Sequence, residues 1–434
     1  RRMTQKEEMV GIVLPASVAG VVANIAVTLT GKVSVNLNFT ASRSAIESAI
    51  NQCRLKTIIT SRAFVERIGE KGEFEGRVFL EDLAKETGVF EKIAGFITAL
   101  VRRPMKSYWG RKGPDDTATV IFSSGSTSDP KGVMLSHHNI ISNIEAFKHV
   151  FKLEKNDRMC GILPFFHSFG YTTTMWCPVI SGFSVYYHAN PIEAGKVSEL
   201  IGKSKSTVLL ATPTFLLSYI RSAKPEDFKT LRTVMTGAEK LRKRIADAFE
   251  KKFGIRPLEG YGATELSPVA SLNIPDVNVG GVKQTGYKEG SVGHPIPGVA
   301  MKVVDPDSGV ALTEDEDGLL LVKGPNVMLG YHANEEKTKE ALKEGWYDTG
   351  DIAKIDTDGF VFILDRISRY SKIGGEMVPH IALEEKFMDM VGGAKQTVFV
   401  TCAPDEKKGE QIVVLYTEEA GDAHGLFNMM KDCD

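Results

Sequence analysis

Much that would mark a familiar chemistry is missing from this chain of 434 residues. No Gly-x-Ser-x-Gly elbow is present to present a serine nucleophile, and no cysteine and histidine set has zinc-ligand spacing. The five cysteines (Cys53, Cys160, Cys177, Cys402 and Cys433) are odd in number and scattered. That argues against a disulfide framework and fits free thiols in a reducing cytoplasm. The formal charge is only −2 with 25% charged residues, so no strong overall field points to nucleic acid or to an anionic membrane. The most apolar stretch, Val18 to Leu29, falls short of the roughly 20 residues that a membrane span needs, and reads as a buried core helix. No repeat or low-complexity tract is visible, and no signal peptide, although the abrupt start at Arg1 leaves room for an upstream part.

What is present centres on Ile121 to Gly132, Ile-Phe-Ser-Ser-Gly-Ser-Thr-Ser-Asp-Pro-Lys-Gly. A short apolar run, Thr119 to Phe122, feeds a hydroxyl-rich loop, and a second run, Val133 to Leu135, follows it. Small residues in succession let backbone N–H groups and hydroxyls converge on an anion, and Lys131 adds a full positive charge. Such a loop suits nucleotide phosphates. A plain Ser/Gly surface turn has the same composition. A nucleoside-triphosphatase P-loop is disfavoured, because Pro130 stands where that motif has glycine before its lysine.

The chain is long enough for a large core and two or more domains. Its first half alternates two periodicities: strands at Val10 to Leu14, Val33 to Val35 and Thr57 to Thr60, and helices at Ser17 to Leu29 and Ser42 to Gln52. Val89 to Val101 is apolar with a helical pattern and has no evident place. Ser136 is suited to cap a helix whose Ile140, Ile144, Phe147 and Phe151 share a face. A helical Phe169 to Ile180 follows, and strand and helix then alternate from Ser184 to Lys252, which argues for largely parallel sheets covered on both faces. Past Gly290 short strands and turns take over, and from about Ile367 a small α/β segment runs to Asp434.

Three later clusters could share a site with the loop. Gly260-Tyr261-Gly262-Ala263-Thr264-Glu265 offers close backbone approach, an aromatic face, and oxygen ligands suited to magnesium. Tyr347 to Asp351 sets Asp351 beside a turn, where it could take sugar hydroxyls or merely cap that turn. Pro164 to Gly170 places His167 among aromatics, an arrangement that packing alone also explains.

Taken in order with Arg366 to Glu376, these motifs resemble the adenylate-forming superfamily: acyl- and aryl-CoA synthetases, adenylation domains of peptide synthetases, and luciferases. The likeness covers essentially the whole chain. Residues 31–42, Thr236 to Leu241 and Ser368 to Val378 look most like the acyl-acyl-carrier-protein synthetase group, which includes the synthetase half of bifunctional 2-acylglycerophosphoethanolamine acyltransferases.

The resemblance implies an α/β fold: a large N-terminal domain of mainly parallel sheets flanked by helices, with a β-rich subdomain at about 290–365, and a small mobile α/β C-terminal cap. The adenylation core would span 1–366 and a partial cap 367–434. A medium- or long-chain fatty acid would attack the α-phosphate of ATP, and the phosphopantetheine thiol of acyl carrier protein would then take the acyl group. A fatty acyl-CoA synthetase, with CoA as acceptor, or a fatty acyl-AMP ligase would share the first step. By the same resemblance Ser123, Ser124, Gly125, Ser126, Thr127 and Lys131 hold the β- and γ-phosphates. Thr264 binds phosphate and Glu265 carries Mg2+. Tyr261, next to Gly262, packs on adenine beside Gly237, Ala238 and Glu239, while Asp351 and Arg366 take the ribose. His167 lines the junction of acyl and nucleotide pockets, with Gly170, Met175 and Trp176 walling the tail. No nucleic-acid partner is implied. Peripheral association with an inner membrane would follow if an acyltransferase domain were fused.

Several positions depart from the family pattern. Ser128 replaces a usual glycine, Asp365 another, and Ser368-Arg369 replaces the common Lys-Asp hinge pair. No lysine after Lys372 lies in a motif matching the family's adenylation lysine, so the cap reads as truncated. A non-catalytic nucleotide- or acyl-binding protein is the reading from another class. The intact Thr264-Glu265 pair argues against it.

Overall fold

The computed structural model describes residues 7–101, 112–123, 130–373, 376–391, 397–405, 409–420 and 425. The chain divides into two compact units, one of Arg1–Ala300 with Lys323–Tyr347, the other of Met301–Val322 with Asp348–Asp434.

The first unit contains two seven-stranded sheets. In the first, Met9–Ile12, Val33–Asn36, Ile58–Thr60, Arg77–Phe79 and Thr117–Ser123 run parallel. The strand Lys131–Ser136 is antiparallel to Thr117–Ser123, and the two-residue strand Gly330–Tyr331 is antiparallel in turn to Lys131–Ser136. The sheet is therefore mixed at this edge, because Thr117–Ser123 and Lys131–Ser136, consecutive in the chain, pair antiparallel with Ser123 opposite Lys131. The second sheet follows the same plan. Arg158–Gly161, Ser184–Tyr187, Val208–Ala211, Thr233–Thr236 and Leu258–Gly262 are parallel, with Val269–Leu272 and His294–Pro295 antiparallel at one edge.

Local chemistry fixes the helix starts. The hydroxyls of Ser17 and Ser42 accept from Gly20 N and Ala45 N, and Ser136 and Asn139 close a capping box ahead of His137–Phe151. The helix Val18–Leu29 is buried along one face only. Gly20, Ala23, Asn24 and Val27 point inward, with Ala23 and Val27 in the core as expected, whereas Val18, Val22 and Leu29 are exposed. Asn24 and Asn36 exchange amide hydrogen bonds of 3.1 and 2.8 Å, which satisfies two buried polar groups and sets the helix against its strand. The expected helix from Phe169 begins as a π-helix, Phe169–Trp176, before the short α-helix Cys177–Ser181. Tyr171, buried in that π-helix, meets Ser34 of the first sheet at 2.9 Å. The segment Val89–Val101 is helical. Among the described residues no helix is long and apolar enough to cross a membrane.

In the second unit, Ala300–Val304, Gly318–Lys323 and Trp346–Ile355 lie side by side, with Val361–Arg366 antiparallel to the last. A four-stranded antiparallel sheet follows (Glu376–Pro379, Tyr370–Ile373, Gly409–Tyr416, Val398–Asp405), and the helix His380–Val391 packs on it through Phe387, against Val398 and Val400.

Candidate functional site

The hairpin register sets Ser123 opposite Lys131, so the neck of the hydroxyl-rich loop brings a hydroxyl and an ammonium together. Ser124, Gly125, Ser126 and Thr127 lie outside the described residues, as does Ser128. Gly132 follows immediately, where a Cβ would meet Val120 Cγ1 at 2.9 Å. Its carbonyl accepts from His332 N at 2.7 Å, tying the exit of the loop to the strand Gly330–Tyr331. Lys131 Nζ stands 5.1 Å from the centre of the Tyr331 ring, within cation–π range. Beside them opens a polar cleft of about 590 Å3, with Gln52, Lys131, Gly132, Tyr331 and His332 in its wall.

The second cluster stands at the end of Leu258–Gly262. Gly262 has no room for a side chain, since a Cβ would lie 1.9 Å from the Pro268 carbonyl oxygen. The chain then turns through Thr264–Leu266, which buries Glu265 to 9% exposure. The Tyr331 hydroxyl donates to Glu265 Oε1 at 2.9 Å, and Met328 N donates to the Glu265 carbonyl at 2.8 Å. Burial first, and then the Glu265 carboxylate, hold the Tyr331 phenol well above its usual pKa, so it remains a donor at any working pH. Neither Tyr331 nor its strand carries a local motif, and sequence reasoning missed both.

Thr264 is half-buried and accepts from Ser168 at 3.3 Å, a second contact that sequence reasoning missed. Next to Ser168, His167 is solvent-accessible as a residue, while its ring centre lies 4.7 Å from that of Phe166. Desolvation lowers its pKa from 6.5, so the imidazole is neutral at pH 7. Gly170 is held to glycine by the Pro164 carbonyl oxygen, 2.1 Å from a Cβ. Met175 is fully buried and Trp176 partly so.

Gly237 is buried, with the Gly260 carbonyl oxygen 3.3 Å from a built Cβ, so this residue stands against the Gly260–Glu265 segment. Just before it, Thr236 Oγ1 is buried with no hydrogen-bond partner. Ala238 adopts φ +69°, a conformation that costs an L-residue energy and appears where the surroundings impose it. Tyr261 is half-buried opposite Ser271. Glu239 is exposed and spends one oxygen on Thr214, accepting from its hydroxyl at 2.6 Å and its N–H at 3.2 Å.

In the second unit, Asp351 and Arg366 are cross-strand partners, and Arg366 Nε meets Asp351 Oδ1 at 2.7 Å. Asp351 is buried and Arg366 exposed, so the pair offers a carboxylate in a recess with a cation at its rim. The unusual Asp365 has a structural account. Its buried carboxylate accepts from Arg366 N at 2.7 Å and from Ile381 N at 2.8 Å, which caps the first turn of His380–Val391. Arg369 adds a 2.6 Å pair with Glu384 on the same helix.

Among the described residues no group of three or more His, Cys, Asp or Glu side chains could cage a metal. The donor set instead offers one buried carboxylate, Glu265, near a cationic loop. That suits magnesium, which keeps waters and phosphate oxygens and asks the protein for one or two carboxylates. The orphaned Thr236 hydroxyl, the close approach at Gly237 and the glycine-only approach at Gly262 equally suit a nucleotide held against backbone.

A sequence profile for the AMP-binding enzyme family matches residues 2–332. A probable 4-coumarate–CoA ligase 2 from Dictyostelium discoideum is 38% identical over 276 residues, 62% of this chain and 48% of that protein. A long-chain-fatty-acid–CoA ligase from Bacillus subtilis is 32% identical over 304 residues, 68% of this chain and 52% of that one. The chain thus spans about half the length of these curated relatives. Among solved structures, ATP-bound MatB from Rhodopseudomonas palustris superposes with TM-score 0.78 at 25% identity, covering 99% of this chain and 82% of that one. MenE from Bacillus subtilis with ATP and magnesium gives TM-score 0.80 at 23% identity over 99% and 84%, a likeness of fold.

Proposed function

Because the chain belongs to the AMP-binding enzyme family, we propose that it activates a carboxylic acid with ATP and passes the acyl group to a thiol. In the first half-reaction a carboxylate oxygen attacks the α-phosphorus, the bond to the bridging oxygen breaks, and pyrophosphate leaves. In the second, a thiol sulfur attacks the acyl carbon, AMP departs, and the thiol proton is released. In-line displacement of this kind needs alignment and charge neutralisation more than a protein nucleophile.

One observation carries the reading. The strand Gly330–Tyr331 joins the exit of the cationic loop to the buried carboxylate of Glu265. In this reading Ser123 and Lys131, with Ser124 to Thr127, hold the β- and γ-phosphates. Glu265 with Thr264 would hold magnesium, which when bound neutralises the charge of the phosphates. Tyr261, Gly262, Gly237, Ala238 and Glu239 frame the base, and Asp351 with Arg366 takes the ribose hydroxyls. Neutral His167 sets no full charge against the incoming carboxylate and serves as a wall and hydrogen-bond partner. Residues 1–366 act as the adenylation core, and 367–434 begin the cap.

The acid we propose is a medium- or long-chain fatty acid, supported by the fatty-acid ligase among the relatives; Gly170, Met175 and Trp176 would wall its tail. For the acceptor, the likeness of residues 31–42 and 368–378 to acyl-acyl-carrier-protein synthetases favours acyl carrier protein. The names of the relatives favour CoA. Mass spectrometry of products formed from ATP, mixed fatty acids, CoA and holo-acyl carrier protein decides both questions. Acyl-carrier protein as the main product is expected. Acyl-CoA as the main product replaces the acceptor, and the absence of any acyl-AMP or thioester overturns the reading.

A further inference from the structure

The residues before the strand Gly330–Tyr331 read Gly324-Pro325-Asn326-Val327-Met328-Leu329, a stretch with no motif for a nucleotide or a metal. In the fold it lies against the turn that carries Glu265. Asn326 is 1% exposed, and its amide nitrogen donates to the carbonyls of Leu266 and Val269, both at 3.0 Å. The Ser267 hydroxyl returns a 2.7 Å bond to the Asn326 carbonyl, and Met328 N holds the Glu265 carbonyl at 2.8 Å. From the helix His137–Phe151, Asn139 donates to the carbonyls of Pro325 and Val327 at 2.8 and 2.9 Å. The turn is thus bound at three successive residues, Glu265, Leu266 and Ser267, to one short segment.

Satisfaction of buried polar groups does not account for Asn326. Asn143, 0% exposed, already donates to the Val269 carbonyl at 2.6 Å and reaches the Leu266 carbonyl at 3.4 Å. The Oδ1 of Asn326 is buried with no partner among the described residues, a cost that an apolar side chain would not carry. What the second pair of bonds adds is geometry. Two N–H groups on one planar amide fix the spacing and direction of two carbonyls three residues apart. The turn between them needs such a hold, because Ser267 adopts φ +69°, a conformation that an L-residue keeps where its surroundings impose it.

Glu265 lies one residue before the first of those carbonyls. The Tyr331 hydroxyl orients its Oε1, and Asn326 fixes the backbone beside it. Magnesium demands near-ideal octahedral geometry, so a small displacement of a carboxylate weakens its hold. We propose that Asn326 is a positioning residue for Glu265, its amide fixing the turn from which that carboxylate reaches magnesium on the nucleotide. This role rests on Glu265 carrying the magnesium.

Asn326→Ala removes both N–H groups and the orphaned oxygen, while the Asn143 bonds and the Ser267 bond to the backbone of residue 326 remain to keep the turn folded. Melting should stay within a few degrees of the parent. In hydrogen–deuterium exchange without nucleotide or metal, the peptide over 264–269 should exchange about threefold to tenfold faster, as for the loss of one neutral hydrogen bond, with exchange in the strand Val208–Ala211 unchanged. Binding of Mn2+ with ATP, read by electron paramagnetic resonance, should weaken by about the same factor, and the magnesium concentration for half-maximal pyrophosphate release should rise with it. In a Glu265→Gln background the substitution should add nothing further to either, since its route to the metal is gone. Asn326→Ser has a single O–H, which meets at most one carbonyl. It should fall between parent and alanine, and it carries the test if the alanine variant melts far below the parent. Mn2+–ATP binding equal in the parent and in Glu265→Gln overturns the metal reading of Glu265, and this proposal with it. Weakened binding in Glu265→Gln, with both Asn326 variants binding like the parent, overturns the proposal alone. So does an Asn326→Ala effect undiminished in the Glu265→Gln background, which would mark a general loosening of the fold.

Discussion

The Tyr331 hydroxyl donates a 2.9 Å hydrogen bond to Glu265 Oε1, across 66 residues of sequence, and the same tyrosine ring lies 5.1 Å from Lys131 Nζ. One side chain thus stands between the cation of the loop and the carboxylate proposed to carry magnesium. A hydrogen bond to a charged group contributes about 1.5–3 kcal/mol. Tyr331→Phe should therefore weaken use of magnesium–ATP by roughly tenfold or more, with a rise in the magnesium concentration needed for half-maximal pyrophosphate release. Melting temperature should fall by only a few degrees, since the loss is small against a core of this size. Pyrophosphate release with the parent's magnesium dependence would show that the bond does not position Glu265.

Glu265→Gln keeps the size of the side chain and an acceptor oxygen for Tyr331 but removes the charge. An amide is a poor ligand for a hard divalent cation. Adenylate formation should fall by about 10²-fold or more, while thermal unfolding stays close to that of the parent. Activity near the parental level in a folded variant would take Glu265 out of the metal site.

Gly262→Ala tests packing at the same turn. The added methyl would lie 1.9 Å from the Pro268 carbonyl oxygen, and neither backbone segment has a flexible end to yield. Overpacking of this kind costs about 1–3 kcal/mol, so a lowered denaturation midpoint is expected together with weaker nucleotide binding. An unchanged midpoint would mean that the turn relaxes freely.

Burial pushes the thiols of Cys53, Cys160 and Cys177 up to about 12. At pH 8 hardly any thiolate exists at these sites, and iodoacetamide in the native state should leave all three unlabelled. Of the four described cysteines Cys402, only partly buried, should label first. Peptide mapping before and after urea denaturation reads the difference. Native labelling of Cys160 would indicate local opening of its sheet.

The sequence by itself determined the alternation of strand and helix and the chemistry of the helix starts. Both are local: period 2 against period 3.6, and a serine hydroxyl reaching an N–H three residues on. The strands Val33–Asn36 and Ile58–Thr60 stand where the pattern put them, and Ser136 caps as read. The glycines at 260 and 262 were legible as close approaches, because only a missing side chain permits them. Tertiary structure alone decided which residues meet. Tyr331 reaches Glu265 because its two-residue strand takes a register beside Lys131–Ser136, and Ser168 reaches Thr264 across 96 residues. Glu239 turns to Thr214 and Asp365 to Ile381 because those N–H groups stand at helix starts brought near by the fold. The apolar pattern of Val89–Val101 announced a helix, but only the packing left its Phe90 and Ile93 facing solvent. Periodicity records which side of an element is apolar; the arrangement of neighbouring elements decides what, if anything, covers it.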